Sequence, residues 1–70
     1  MTPARLRQCL DTLRWSQRGL GEALGIDDRQ VRRWTSGAYS VPTEVASWLE
    51  RLAAAHAQHP PPVRRKAEAA

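Results

Sequence analysis

"SQRGLGEALGIDDRQVRRWTSG", Ser16 to Gly37, decides how this chain folds. Ser16 is a good N-cap, because its hydroxyl can accept from a backbone N–H left unpaired in the first helical turn. The spacing predicts a helix over residues 17–24 with Leu20, Ala23 and Leu24 on its buried side. Gly25 closes that helix at the position where a left-handed backbone suits glycine. Asp27 caps another helix over residues 28–35, and Gly37 is its left-handed stop. The connection holds three or four residues, so the two helices cross steeply and must approach closely. A side chain at Gly21 would hold them apart, which accounts for a residue that costs about 1 kcal/mol against alanine inside a helix. Gly19 has no comparable account and is read as tolerated on the solvent face.

Steps of about 100° per residue divide the helix after Asp27 into two sides. Val31 and Trp34 fall on one, with Asp27 close by, and Arg29, Arg32, Arg33 and Ser36 fall on the other. The tryptophan then anchors the helix to a core while the arginines project from a rigid support. The competing reading of three such arginines is a solvated charged face with no ligand.

Working outward, Thr2 and Pro3 carry the N-cap and N1 signature, and Leu6, Leu10 and Leu13 then repeat with helical period, predicting a helix over residues 3–13. After the loop "GAYSV", Pro42 starts the longest predicted helix, in which Val45, Trp48, Leu49 and Leu52 recur toward His56. Pro60, Pro61 and Pro62 forbid its continuation. The remaining "VRRKAEAA" has little apolar content and reads as extended or disordered. Strand signals are nearly absent, because β-branched residues nowhere alternate with polar ones over a usable length. The expectation is an all-α domain over residues 1–57, its paired-helix motif at 17–36, followed by a Pro-rich basic tail over 58–70.

Composition bounds the function classes. Seventy residues, 41% of them hydrophobic, give one small core and a marginal stability that a second subunit would raise. Three tryptophans, one tyrosine and no phenylalanine make the indoles the natural core anchors. The net charge is +4, and ten of the eleven basic residues are arginine, whose planar fork suits phosphate and guanine better than lysine does. Nucleic acid is therefore the first partner to consider, ahead of an anionic membrane surface. No apolar stretch is long enough to span a bilayer and no signal-peptide core is present, so the expected location is cytoplasmic. Cys9 stands alone and reads as a plain helix-face thiol. His56 and His59 have a spacing that can hold a metal but no third ligand, so they read as histidines at a helix C-terminus and no cofactor is expected.

Taken together, Gln17, Leu20, Gly21, Leu24, Gly25, Ile26, Val31 and Trp34 form a polar, apolar, small, apolar, glycine-turn pattern that ends in three apolar core positions. It resembles the Cro and lambda-repressor-like helix-turn-helix family, often called XRE-like, over about residues 4 to 55. The resemblance implies a compact domain of four or five helices and a major-groove reading helix after Gly25. By position it nominates Asp28, Arg29 and Arg33 as base readers with Arg32 beside them, and arginine on guanine points to G-containing half-sites. Asp28 has a second reading, as an acid favoured at a helix N-terminus four residues before Arg32. Ser16 and Gln17 open a helix whose N-terminus can receive a phosphate, and Gln17 matches the family position that commonly does so. Arg14, Arg18, Ser36, Tyr39 and Ser40 are weaker phosphate candidates. Two departures stand out. "GAYS" offers only neutral donors where relatives often carry basic residues, and Thr35 stands where many carry an acid paired with a base on the first helix. Leu10 faces Thr35 on this reading, so an apolar contact is expected to replace that ion pair.

A single reading helix covers few base pairs, so the resemblance also implies a homodimer on a pseudo-palindromic operator, with half-sites about 10 to 10.5 base pairs apart or multiples of that. Trp48, Leu52 and Ala55 are the expected dimer surface, with ordinary core packing as the alternative for Trp48. Arg64, Arg65 and Lys66 read either as DNA contacts or as a solvated tail. No small-molecule effector is expected. The reading that results is a double-stranded-DNA-binding transcriptional regulator, a repressor similar to small phage or mobile-element autoregulators. Its alternative is an antitoxin-like or adaptor module that meets a protein partner. An enzyme is not expected, since no nucleophile with a base, paired carboxylates or phosphate-cradling loop is found.

Overall fold

The computed structural model describes residues 1–62; Arg64, Arg65, Lys66 and the expected disorder of the tail lie outside the described residues. Four helices follow in order, α1 (Pro3–Leu13), α2 (Gln17–Leu24), α3 (Asp28–Ser36) and α4 (Thr43–Gln58), with no strand among the described residues. The first three start on side-chain caps. Thr2 accepts from the Arg5 N–H, Ser16 from the Gly19 N–H and Asp27 from the Arg29 N–H, each satisfying one donor the helix cannot. α4 has no side-chain cap: Pro42 sits in the cap position, so the helix begins one residue later, at Thr43.

Three left-handed residues end the first three helices. Gly25 (φ 72°) and Gly37 (φ 84°) take that conformation without a Cβ penalty. Arg14 (φ 59°) is the third and carries a side chain there. The two turns around α2 are nevertheless alike. The Arg14 and Trp15 N–H groups donate to the Asp11 and Leu10 carbonyls, and the Gly25 and Ile26 N–H groups donate to the Glu22 and Gly21 carbonyls. Both are Schellman motifs.

Leu6, Leu10, Leu20, Val31, Trp34, Val41 and Leu49 form one core, so every helix and the loop before α4 contribute to it. Leu6, Leu20 and Leu49 are fully buried, and each such side chain contributes about 1.5–3 kcal/mol by leaving water. α2 packs on α3, and α1 packs on both α3 and α4. At the α2–α3 contact a Cβ on Gly21 would lie 3.0 Å from the Ile26 carbonyl oxygen and 3.4 Å from Asp28 Cα, so any side chain there would press on the turn and the start of α3, and glycine permits this close approach. Trp15, in the first turn, tilts against Trp48 of α4 at 5.9 Å between ring centroids.

Some local expectations are corrected. Leu20 is buried as expected, but Ala23 is exposed and Leu24 only half-buried, and Gly21 is the second buried residue of α2. Ile26 is 37% exposed rather than a core position. It rims an open groove of about 450 Å³ with Leu24, Gln30, Trp34, Pro42 and Val45. Gly19 is half-buried, and a Cβ there would press to 3.2 Å from the Ser16 hydroxyl that caps the same helix. Cys9 is free and buried, and burial pushes its thiol pKa up. No described helix is long and apolar enough to cross a membrane.

Candidate nucleic-acid interface

α3 is divided by burial as its helical period requires. Val31, Trp34 and Thr35 are buried, with Val31 at 0% and Trp34 at 4% exposure, while Arg29, Arg32, Arg33 and Ser36 are exposed. The helix is therefore fastened along one narrow seam and offers three guanidinium groups on the other side. Each has a local partner. Arg29 donates from Nη2 to Asp27 Oδ2 at 3.0 Å and from Nε to both carboxylate oxygens at 3.4 Å. Arg32 Nη2 lies 3.6 Å from Asp28 Oδ2 across one helical turn. Arg33 donates to Gln30 Oε1 at 3.4 Å and lies 5.6 Å above the Tyr39 ring, a cation–π arrangement.

These partners orient the arginines without neutralising the face. Exposed pairs exchange readily with solvent and with competing anions, because water screens most of their attraction. The Asp27 carboxyl is held far below the usual carboxylate range, first by the Arg29 side chain and then by the Arg29 backbone N–H it caps. Arg29 is correspondingly raised. Asp28 is half-buried and pairs with Arg32, the second of its two sequence readings, and nothing further about Asp28 singles it out as a base contact.

The start of α2 reaches the far half of α3. The single Thr35 hydroxyl proton has two acceptors within reach, the Arg32 carbonyl at 3.0 Å and Gln17 Oε1 at 3.4 Å. Arg7 of α1 donates to the Thr35 backbone carbonyl at 2.8 Å. The apolar contact expected at Thr35 is thus corrected to a polar one: a buried hydroxyl and carbonyl need partners, which the Arg32 carbonyl and Gln17 offer to the first and Arg7 to the second. Arg7 went unnoticed in the sequence because its partner is a main-chain oxygen, to which no residue type gives a clue. Gln17 meets Thr35 through its oxygen, leaving the amide NH₂ without a partner among the described residues. Beside it Arg7, Leu10, Asp11, Trp15, Ser16 and Gln17 enclose a recess of about 300 Å³ next to the α2 N-terminus.

The other candidates divide. Tyr39 is 57% exposed and joins the α3 surface through Arg33. Ser36 donates its hydroxyl to the Arg33 carbonyl and accepts from the Ala38 N–H, which ties down the loop after α3. Ser40 is exposed. Arg18 pairs with Glu22 at 3.5 Å on the outer side of α2. Arg14 lines a separate recess with Asp11, Thr12, His56 and Pro60, toward the end of α4 rather than with the α3 arginines. On α4, Trp48 packs against Trp15 and the core, Leu52 is half-buried and Ala55 is exposed. Trp48 thus has an intramolecular role of its own. No group of three or more metal-ligating side chains occurs among the described residues.

Comparison with known proteins finds no family model, no curated protein and no solved structure that matches this chain.

Proposed function

We propose that the chain is a sequence-specific double-stranded-DNA-binding regulator of the Cro and lambda-repressor-like helix-turn-helix type, acting in the cytoplasm as a repressor. One observation carries the reading. α3 buries Val31, Trp34 and Thr35 and exposes Arg29, Arg32 and Arg33 on the opposite side, while Gly21 lets α2 hold it at close range. An arginine-bearing helix that is rigid and convex can enter a major groove, where two parallel N–H donors match guanine O6 and N7. The α2 N-terminus, with Ser16 and Gln17, supports phosphate contacts that set register without reading sequence. One such helix spans few base pairs, so the protein acts as a homodimer on a pseudo-palindromic operator, with α4 positions Leu52 and Ala55 at the subunit contact.

A second reading, an adaptor or antitoxin-like module for a protein partner, draws on the open apolar groove at Leu24, Ile26, Trp34 and Val45. Selection of bound sites from random duplex DNA separates the two. The DNA reading expects a symmetric consensus containing guanine. If about eight phosphates are neutralised per dimer, it also expects log affinity to fall with log salt at a slope near −7. Arg33→Ala should relax one base position, and Gln17→Ala should weaken all sites alike. Equal, uniform losses from both substitutions would refute the division of roles, and no selection at all would refute DNA recognition.

A further inference from the structure

The three exposed arginines of α3 are not held equally. Arg32 has a single approach to Asp28 at 3.6 Å, and Arg33 rests on a ring face and one amide oxygen at 3.4 Å. Arg29 alone is gripped by both oxygens of one carboxylate. The same Asp27 Oδ1 also accepts the Arg29 backbone N–H at 2.9 Å, so one side chain fixes the main chain and the guanidinium of its neighbour two residues on.

The edge that Asp27 takes is Nε–Nη2. Nη1 has no partner among the described residues, and Nη2 carries a second hydrogen. The edge left free is therefore Nη1–Nη2, which bears two parallel, coplanar donors at the spacing guanine O6 and N7 accept. Arg29 lies in the first turn of α3, the end of a reading helix that meets base edges. The pair is exposed and still exchanges with solvent, so it biases the side chain rather than locking it, and part of the rotational freedom is given up before any base arrives.

We propose that Asp27 is a positioning residue for base selection, holding the Nε–Nη2 edge of Arg29 so that the opposite edge is preset to read guanine. The proposal rests on the DNA-binding reading above and deepens it. It assigns the sharpest guanine preference of the half-site to Arg29, and it makes that preference a property of the Asp27–Arg29 pair. Asp27 also has an opposite effect. Its carboxylate faces a polyanion, so it lowers affinity for every duplex while raising discrimination at one position.

The test compares site selection from random duplex DNA by the full chain and by Asp27→Asn, Asp27→Ser, Arg29→Ala and the double variant Asp27→Asn with Arg29→Ala. Asparagine and serine cap helices as well as aspartate does, and circular-dichroism melts check that α3 is retained. The native chain is expected to enrich a guanine at a position where Arg29→Ala enriches none. Both Asp27 variants should cut that preference about three- to tenfold, leave the other positions unchanged and bind unselected duplex more tightly. The double variant should match Arg29→Ala at that position, since a positioning residue has nothing left to position. Unchanged guanine preference in both Asp27 variants overturns the proposal, and so does a loss spread evenly over all positions. Loss of fold in both variants assigns Asp27 to capping alone, which also overturns it. A native chain that enriches no sequence removes the DNA-binding reading itself, an outcome distinct from a selective native chain whose selectivity ignores Asp27.

Discussion

Arginines on α1 and on α3 have the same chemistry and opposite employment. Arg5 and Arg7 turn toward their own protein. Arg5 donates from Nε to both Glu50 oxygens, at 3.1 and 3.0 Å, tying α1 to α4, and Arg7 reaches the Thr35 carbonyl of α3. Among the described residues, Arg29, Arg32 and Arg33 meet only partners within their own cap, their own helix or the loop just after it. The Arg29 and Arg32 side chains stay 72% and 60% exposed, against 42% for Arg5. What differs is the element opposite. α1 packs on both α3 and α4, so its polar side chains find helices to brace, while among the described residues Arg29, Arg32 and Arg33 reach no other helix. Arginine count and net charge therefore say little about binding until each guanidinium is assigned to bracing or display.

The largest effect that can break this contrast is loss of the seam that keeps α3 oriented. Trp34→Ala is expected to cost about 3–5 kcal/mol, comparable to the whole stability of a domain this size, and to abolish the cooperative urea transition. A variant that still folds cooperatively would mean the display does not depend on Trp34. Next comes Gly21→Ala. Intrinsic helix propensity favours alanine by about 1 kcal/mol, but a Cβ 3.0 Å from the Ile26 carbonyl must push the turn between α2 and α3 by a few tenths of an ångström. The net expectation is a loss of about 1–3 kcal/mol in denaturant titration, and a gain would show that the turn gives way.

Smaller effects sharpen the contrast directly. Arg7→Ala removes the partner of a carbonyl on a buried residue and should cost about 1 kcal/mol, whereas Arg33→Ala should stay within about 0.5 kcal/mol. Equal losses in thermal melts would erase the distinction between bracing and display. The smallest effect is in pH. Hydrogen bonding to Arg5 holds the Glu50 carboxyl below its ordinary value of 4.5. A depressed folded pKa means the stabilisation is fully present above 4.5 and is lost as pH falls through the lower, folded value. Glu50→Gln should therefore flatten the acid side of the stability profile below pH 4.5, and a parallel profile would place the acid sensitivity elsewhere.

Much of the fold was legible because its signals are local. Thr2, Ser16 and Asp27 cap within three residues of themselves, and Gly25 and Gly37 announce left-handed turns by composition alone. Arg14 takes the same conformation with no such signal, since the turn is imposed by Trp15 packing and by the Leu10 and Asp11 carbonyls. Ala23 and Ile26 were misjudged because apolar character does not say which side of an eight-residue helix or its turn meets a neighbour. At the candidate interface, the two sides of α3 followed from its period, and the Asp28–Arg32 pair from its spacing. Side-chain rotamers decided the rest: Asp27 on Arg29, Tyr39 under Arg33 and Gln17 on Thr35 depend on χ angles and on the course of a loop. Arg5 and Glu50 stand 45 positions apart, beyond any local pattern.

The indoles supply one more consequence. Two rings 5.9 Å apart and tilted by 47° couple their electronic transitions, so Trp15 and Trp48 should give a paired circular-dichroism band that vanishes when α1 and α4 part. Trp34 is buried at the base of the open groove, and Tyr39 is the chain's one phenol, seated under Arg33. Absorption optics on the unlabelled protein can thus follow closure of the core through one chromophore pair and events at the arginine surface through another ring.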